Sequence, residues 1–286
     1  MRSGRPGSNR RHEPWKGSAL PLSYARVSLT SVPPVQPYSW SLHAEAVVLV
    51  PLLAFGYAWV ARRYPPQGWR IACFLTGLAL ILAVFVTPLE SLALHYLLTA
   101  HLLQNVALAE WSPALVVLGI PPAAAQATRR YAAVRTLTHP LVALPLWLAT
   151  YYAWHIPGAY DTALRHPETL LHLEHLCYFV TGVLVWWPVL TGALSAGAAA
   201  AYLFAAFALA SPLGLLLALI PNAVYGFYEH APRVWGWSPL TDQQVAGLTM
   251  AAEEAVVFFG AFALFFVRFM HREDTALDLK HARWTR

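Results

Sequence analysis

Residues 166–179, HPETLLHLEHLCYF, carry three histidines and two glutamates and run straight into the apolar segment VTGVLVWWPVL. His172 and His175 are three residues apart and share a helix face, and Glu168, four residues before His172, joins that face. Two imidazoles one turn apart with a carboxylate beside them can hold one metal ion. His101 falls early in another apolar segment, with Gln104 and Asn105 at i+3 and i+4 on the same side. His155 ends a third segment and is followed by IPGAYD, which contains Asp161. Three helices thus offer imidazoles at a similar depth. Imidazole suits copper, zinc, iron and nickel, so spacing alone does not choose the metal. The chain has 3 methionines and 2 cysteines, Cys73 and Cys177, without a CxxC pair. That argues against a methionine-rich copper(I) relay, a thiolate site and a disulfide framework. The expected site is built on nitrogen, with oxygen from Asp161, Glu168 or Asp242.

The elements that must carry these residues are membrane helices. The chain is 58% hydrophobic and 12% charged, against roughly 25% charged in soluble domains. The excess falls in blocks long enough to cross a bilayer, which takes ~20 residues per helix. The expected fold is all-α, a polytopic bundle of seven transmembrane helices near 42–61, 70–88, 93–119, 140–155, 169–190, 198–220 and 244–268, the fourth being short. Pro51, Pro113, Pro145 and Pro212 fall inside these blocks, where kinks are tolerated. The small-residue run SAGAAAAYLFAAFALASPLG is expected to pack closely against its neighbours. Residues 1–40 lack the apolar core of a signal peptide and have a disordered composition. Residues 1–31 are expected to contribute nothing to fold or function, and a start near Val27 or Val32 would remove most of the basic residues that precede the first span. Residues 41–270 form the membrane domain and 271–286 a basic tail.

Arginine-rich segments follow the first and third spans, as ARRYPPQGWR and TRRYAAVR, and five basic residues lie from Arg268 onward. The positive-inside rule puts these on the cytoplasmic side and the N-terminus outside. The six basic residues between Arg2 and Arg26 run against that orientation. Eight of the 12 histidines then gather at the outer face: His43, His95, His101, His155, His166, His172, His175 and His230. Glu110, Glu253 and Glu254 fall within spans, where a carboxylate points to a proton or ion step or to a polar lining.

Several function classes drop out. The net charge of +5 comes largely from the chain ends and reads as orientation, not nucleic-acid binding. Lys16 and Lys280 are the only lysines, so no span offers a retinal Schiff base. Nucleotide loops and hydrolase motifs are lacking, and no enzymatic activity is expected. A haem held by histidines of two helices, such as His101 and His175, is an alternative to copper.

AHLLQNVALAEWSPALVVLGIPP, YYAWHIPGAYDTALRHPETLLHLEHLCYFVTGVLVWWPVL and LTDQQVAGLTM resemble the CtaG-related family of cytochrome c oxidase assembly factors, over roughly residues 40–270. The resemblance implies a multi-pass bacterial plasma-membrane protein that helps copper reach an assembling terminal oxidase. Its partners would be oxidase subunits or other assembly factors, within membrane lipid. It singles out His101, His155, His172, His175 and the run from Asp242 to Gln244. One departure stands out: the family pattern His-x-x-Gln-His reads HLLQN here, with Asn105 in place of the second histidine.

Overall fold

A computed structural model describes residues 36–284, with side chains described to residue 272. The expectations for residues 1–31, and those for the side chains of most of the basic tail, lie outside what is described. Among the described residues there are only helices and the turns that join them.

Six helices are long and apolar enough to cross a membrane: α1 (Glu45–Arg63), α2 (Gly68–Val86), α4 (Leu98–Gly119), α9 (Pro167–Leu190), α10 (Ala196–Leu219) and α12 (Pro239–Arg272). The fourth expected span is α7 (Pro140–Trp154), 15 residues long and about 22 Å at 1.5 Å per residue. It is therefore shorter than a full bilayer crossing. Short helices connect these: α3 (Pro88–His95), α5 (Pro122–Thr128), α6 (Ala132–Leu137), α8 (Pro157–Arg165) and α11 (Gly226–Glu229).

The third expected span, 93–119, is broken. Thr87 Oγ1 accepts from the Leu89 amide at the start of α3, with Pro88 at its first position, a favourable helix start. α3 ends at His95, Leu97 is extended, and α4 restarts at Leu98. The carboxylate of Asp242, from the first turn of α12, accepts from the Leu98 and Thr99 amides at 2.7 and 3.0 Å. Thr99 Oγ1 adds a third donor at 2.7 Å. An N-cap supplied by a distant helix thus satisfies the amides that a new helix start exposes.

Two prolines explain two irregular turns. π-helical turns occupy Glu45–Leu49 and Ala107–Trp111, just before Pro51 and Pro113. A helical proline cannot bond the carbonyl four residues back and clashes with it, and the wider turn relieves this. The freed Ala109 carbonyl faces α9 at Gly182, where any Cβ would collide with it.

α10 and α12 meet backbone to backbone. A Cβ on Gly247 would lie 2.5 Å from Ala218 N and Gly214 O, and one on Gly214 would lie 2.9 Å from Ala251 N. Gly214 ends the small-residue run of α10, and such residues let membrane helices approach closely. At the opposite end of the bundle from the histidines, Arg70 donates to the Leu118 and Ile120 carbonyls at 2.7 and 3.0 Å. A cation there suits the C-terminus of α4.

Candidate metal centre

Three helices deliver the four histidines. His101 lies in the first turn of α4, His155 at the end of α7, and His172 and His175 at the start of α9's regular portion. His101, His155 and His175 are buried, and His172 is about one-third exposed.

Glu45, at the head of α1, joins two of them. Its Oε1 accepts from Nδ1 of His172 at 2.5 Å and from Nδ1 of His175 at 2.9 Å. Ligand atoms of Glu45, His172 and His175 all lie within 4.8 Å of one another. Sequence spacing did not bring Glu45 into the site, although a carboxylate at the mouth of an apolar run was a signal in itself. A cavity of about 340 Å³ opens beside the group, lined by these three residues with Leu52, Phe85 and Leu176 among others.

The buried histidines have fixed tautomers. His155 Nδ1 meets the Tyr151 carbonyl at 2.7 Å, which only accepts, so Nδ1 carries the hydrogen. His175 Nδ1 likewise donates to the Glu45 carboxylate. His101 Nδ1 meets Tyr228 Oη at 2.9 Å, and that hydroxyl gives its own hydrogen to the Ala93 carbonyl at 2.6 Å. Tyr228 is therefore the acceptor and His101 Nδ1 the donor. Burial, its largest cause, pushes the Tyr228 phenol well above its usual range, so it keeps that hydrogen. In all three rings the Nε2 lone pair is left free, and in all three Nε2 is buried without a hydrogen-bond partner. An orphaned acceptor with the other ring nitrogen held by an oxygen is the pattern of a metal-binding imidazole.

The rings are not equally close. His101 and His175 have centroids 6.3 Å apart, with planes at 80°. Tyr160 stands against both His101 and His155, at centroid distances of 5.0 and 5.9 Å. His101 and His175 are the pair in direct ring contact, and His155 is reached through Tyr160.

The remaining expected residues take supporting places. Asp161 accepts from the Phe227 amide at 3.2 Å and lies 3.4 Å from Arg165. It thereby fixes the segment bearing Tyr225 and Tyr228. Tyr225 in turn donates to the His155 carbonyl at 3.0 Å. Glu168 is exposed on the π-helical turn Pro167–Leu171, where a wider turn shifts the i, i+4 alignment with His172. Asp242 is the cap of α4. Gln243 accepts from the Val224 amide at 2.8 Å and donates to the Asn222 carbonyl at 3.1 Å. Asn105 donates to Glu174 at 3.1 Å, tying α4 to α9 with both side chains buried.

Residues 53–272 match the family described as cytochrome c oxidase caa3 assembly factor (Caa3_CtaG). Neither the curated proteins nor the solved structures gave a match.

Proposed function

The chain belongs to the cytochrome c oxidase caa3 assembly factor family, and from that premise we propose that it hands copper to an assembling oxidase through His101 and His175. The observation that carries this reading is the pair of free, buried Nε2 atoms on rings 6.3 Å apart. An ion bonded to both nitrogens at about 2 Å would hold the ring centres about 6 Å apart.

Each residue has a role in this reading. His101 and His175 bind the ion through Nε2. Glu45 aligns His175 and Tyr228 aligns His101, both through Nδ1, which also raises the basicity of the ligating nitrogen. His172, about one-third exposed, receives the ion at the cavity. His155 completes the shell when Tyr160 moves aside. A copper(I) ion accepts two or three imidazoles, and the absence of a thiolate leaves it weakly enough held to pass on. The role is delivery and requires no catalytic turnover. The arginine-rich loops support a bacterial plasma-membrane location with the histidine end outside, where an oxidase copper domain or another assembly factor is the partner.

Haem is the weaker reading. A porphyrin plane between the two rings would displace Tyr160 from His101 and Phe85 from His175, each at a centroid distance of 5.0 Å. The test is the copper content of the oxidase purified from cells carrying the wild-type chain or H175A. Copper-depleted oxidase with H175A is expected, and fully loaded oxidase contradicts the reading.

A further inference from the structure

Away from the histidines, three carboxyl groups meet inside the bundle. Glu110 lies on the π-helical turn of α4, and Glu253 and Glu254 end the first portion of α12. All three are buried. The groups facing them come from every helix around the cluster. Trp111 of α4 donates to Glu253 at 2.5 Å. Tyr151 of α7 donates to Glu254. Ser211 of α10 lies beside Glu254, as does Tyr152 of α7 at longer range. None of the ion pairs among the described residues reaches the cluster.

Glu253 and Glu254 each have one oxygen satisfied, and the other oxygen of each is buried without a partner. Glu110 has neither oxygen satisfied. Yet the Glu110 carboxyl reaches that of Glu253 closely enough for a hydrogen bond. Two carboxylates have no hydrogen to share, so the contact is a bond only when one of them is an acid. Left ionised, the three carboxylates would be like charges held together away from water with no cation beside them, an arrangement that burial strongly disfavours. A metal is a poor alternative occupant, since the three groups do not meet the close ligand spacing that Glu45, His172 and His175 meet.

We propose that Glu110, Glu253 and Glu254 form a proton-binding site, with one proton shared between Glu110 and Glu253 at neutral pH. The proton comes from water and returns to it, with no other bond made or broken. The site sits where it braces the histidine helices. Glu110 is nine residues beyond His101 on α4, and Tyr151, which holds Glu254, is four residues before His155 on α7. Protonation removes repulsion between α4 and α12 and lets those helices close.

Infrared spectroscopy of the full-length, copper-free protein in lipid bilayers at neutral pH tests this. The wild-type spectrum should contain a protonated-carboxyl C=O band that shifts in heavy water. E110Q should lose that one band and keep its copper binding, which separates this site from the histidine site. Should E110Q fail to accumulate, E253Q serves. Its amide would donate to Glu110, remove the need for the shared proton, and abolish the same band. A wild-type spectrum without a protonated-carboxyl band, or one whose protonated-carboxyl bands all stay unchanged in both variants, would overturn the proposal.

Discussion

Tyr228 Oη accepts from Nδ1 of His101 at 2.9 Å and donates to the Ala93 carbonyl at 2.6 Å. One hydroxyl thus sets the tautomer of a buried histidine and anchors the α11 segment to the end of α3. Replacing it by phenylalanine leaves the ring packing and removes the acceptor. Y228F is expected to accumulate in the membrane and to bind copper about 10- to 100-fold more weakly, the range for loss of such an orienting partner. Competition titration against a copper(I) chelator measures this. An unchanged affinity would detach Tyr228 from the site.

Asp242 caps a helix 143 residues away in sequence. D242A exposes the Leu98 and Thr99 amides at the start of α4, one turn from His101. A lost cap costs about 0.5–2 kcal/mol, and here the amides are left in a buried setting, so the upper part of that range is expected. The readout is thermal unfolding in detergent. D242N, which keeps one acceptor, should recover part of the loss, and equal losses in both variants would argue against capping.

At the α10–α12 crossing, G247L places a side chain where even a Cβ would lie 2.5 Å from backbone atoms of α10. Backbone cannot yield as a side chain can, so the helices must separate. Overpacking of this kind costs about 1–3 kcal/mol or more. A clear fall in membrane level and melting temperature is expected, whereas a wild-type melting curve would contradict the close approach.

Glu90, on α3 outside the spans, is held by burial at a pKa of about 8, against an ordinary 4.5, with the Gln104 amide acting in the opposite direction. A folded-state pKa raised in this way gives a contribution fully present below about pH 4.5 and lost as pH rises through about 8. The melting temperature is therefore expected to fall from about pH 5 to about pH 8. E90Q keeps a neutral group beside Gln104 and should flatten that slope. An equally steep fall in E90Q would place the dependence elsewhere.

The helical membrane architecture was legible because hydrophobic blocks of bilayer length are written locally. So was the gathering of histidines at one end. The break at Tyr96–Leu97 was not, because HYLLTA contains neither proline nor glycine and the break is stabilised by Asp242 from another helix. Glu45 was missed for a similar reason: it lies 127 residues before His172, and helical spacing speaks only about near neighbours. Glu168 looked like the partner of His172 on ideal spacing, but the π-helical turn after Pro167 carries it to the surface. The carboxyl cluster was half visible, since Glu110, Glu253 and Glu254 could be seen within spans but not seen to meet.

Copper binding to the purified chain tests the central claim most directly. Wild-type protein should bind one copper(I) ion with nitrogen-only ligation by X-ray absorption and show no Soret band. H101A and H175A should each lose the ion, while H172A should keep it with reduced affinity. Full copper loading in the doubly substituted H101A/H175A protein, or a Soret band in the wild type, would contradict the account.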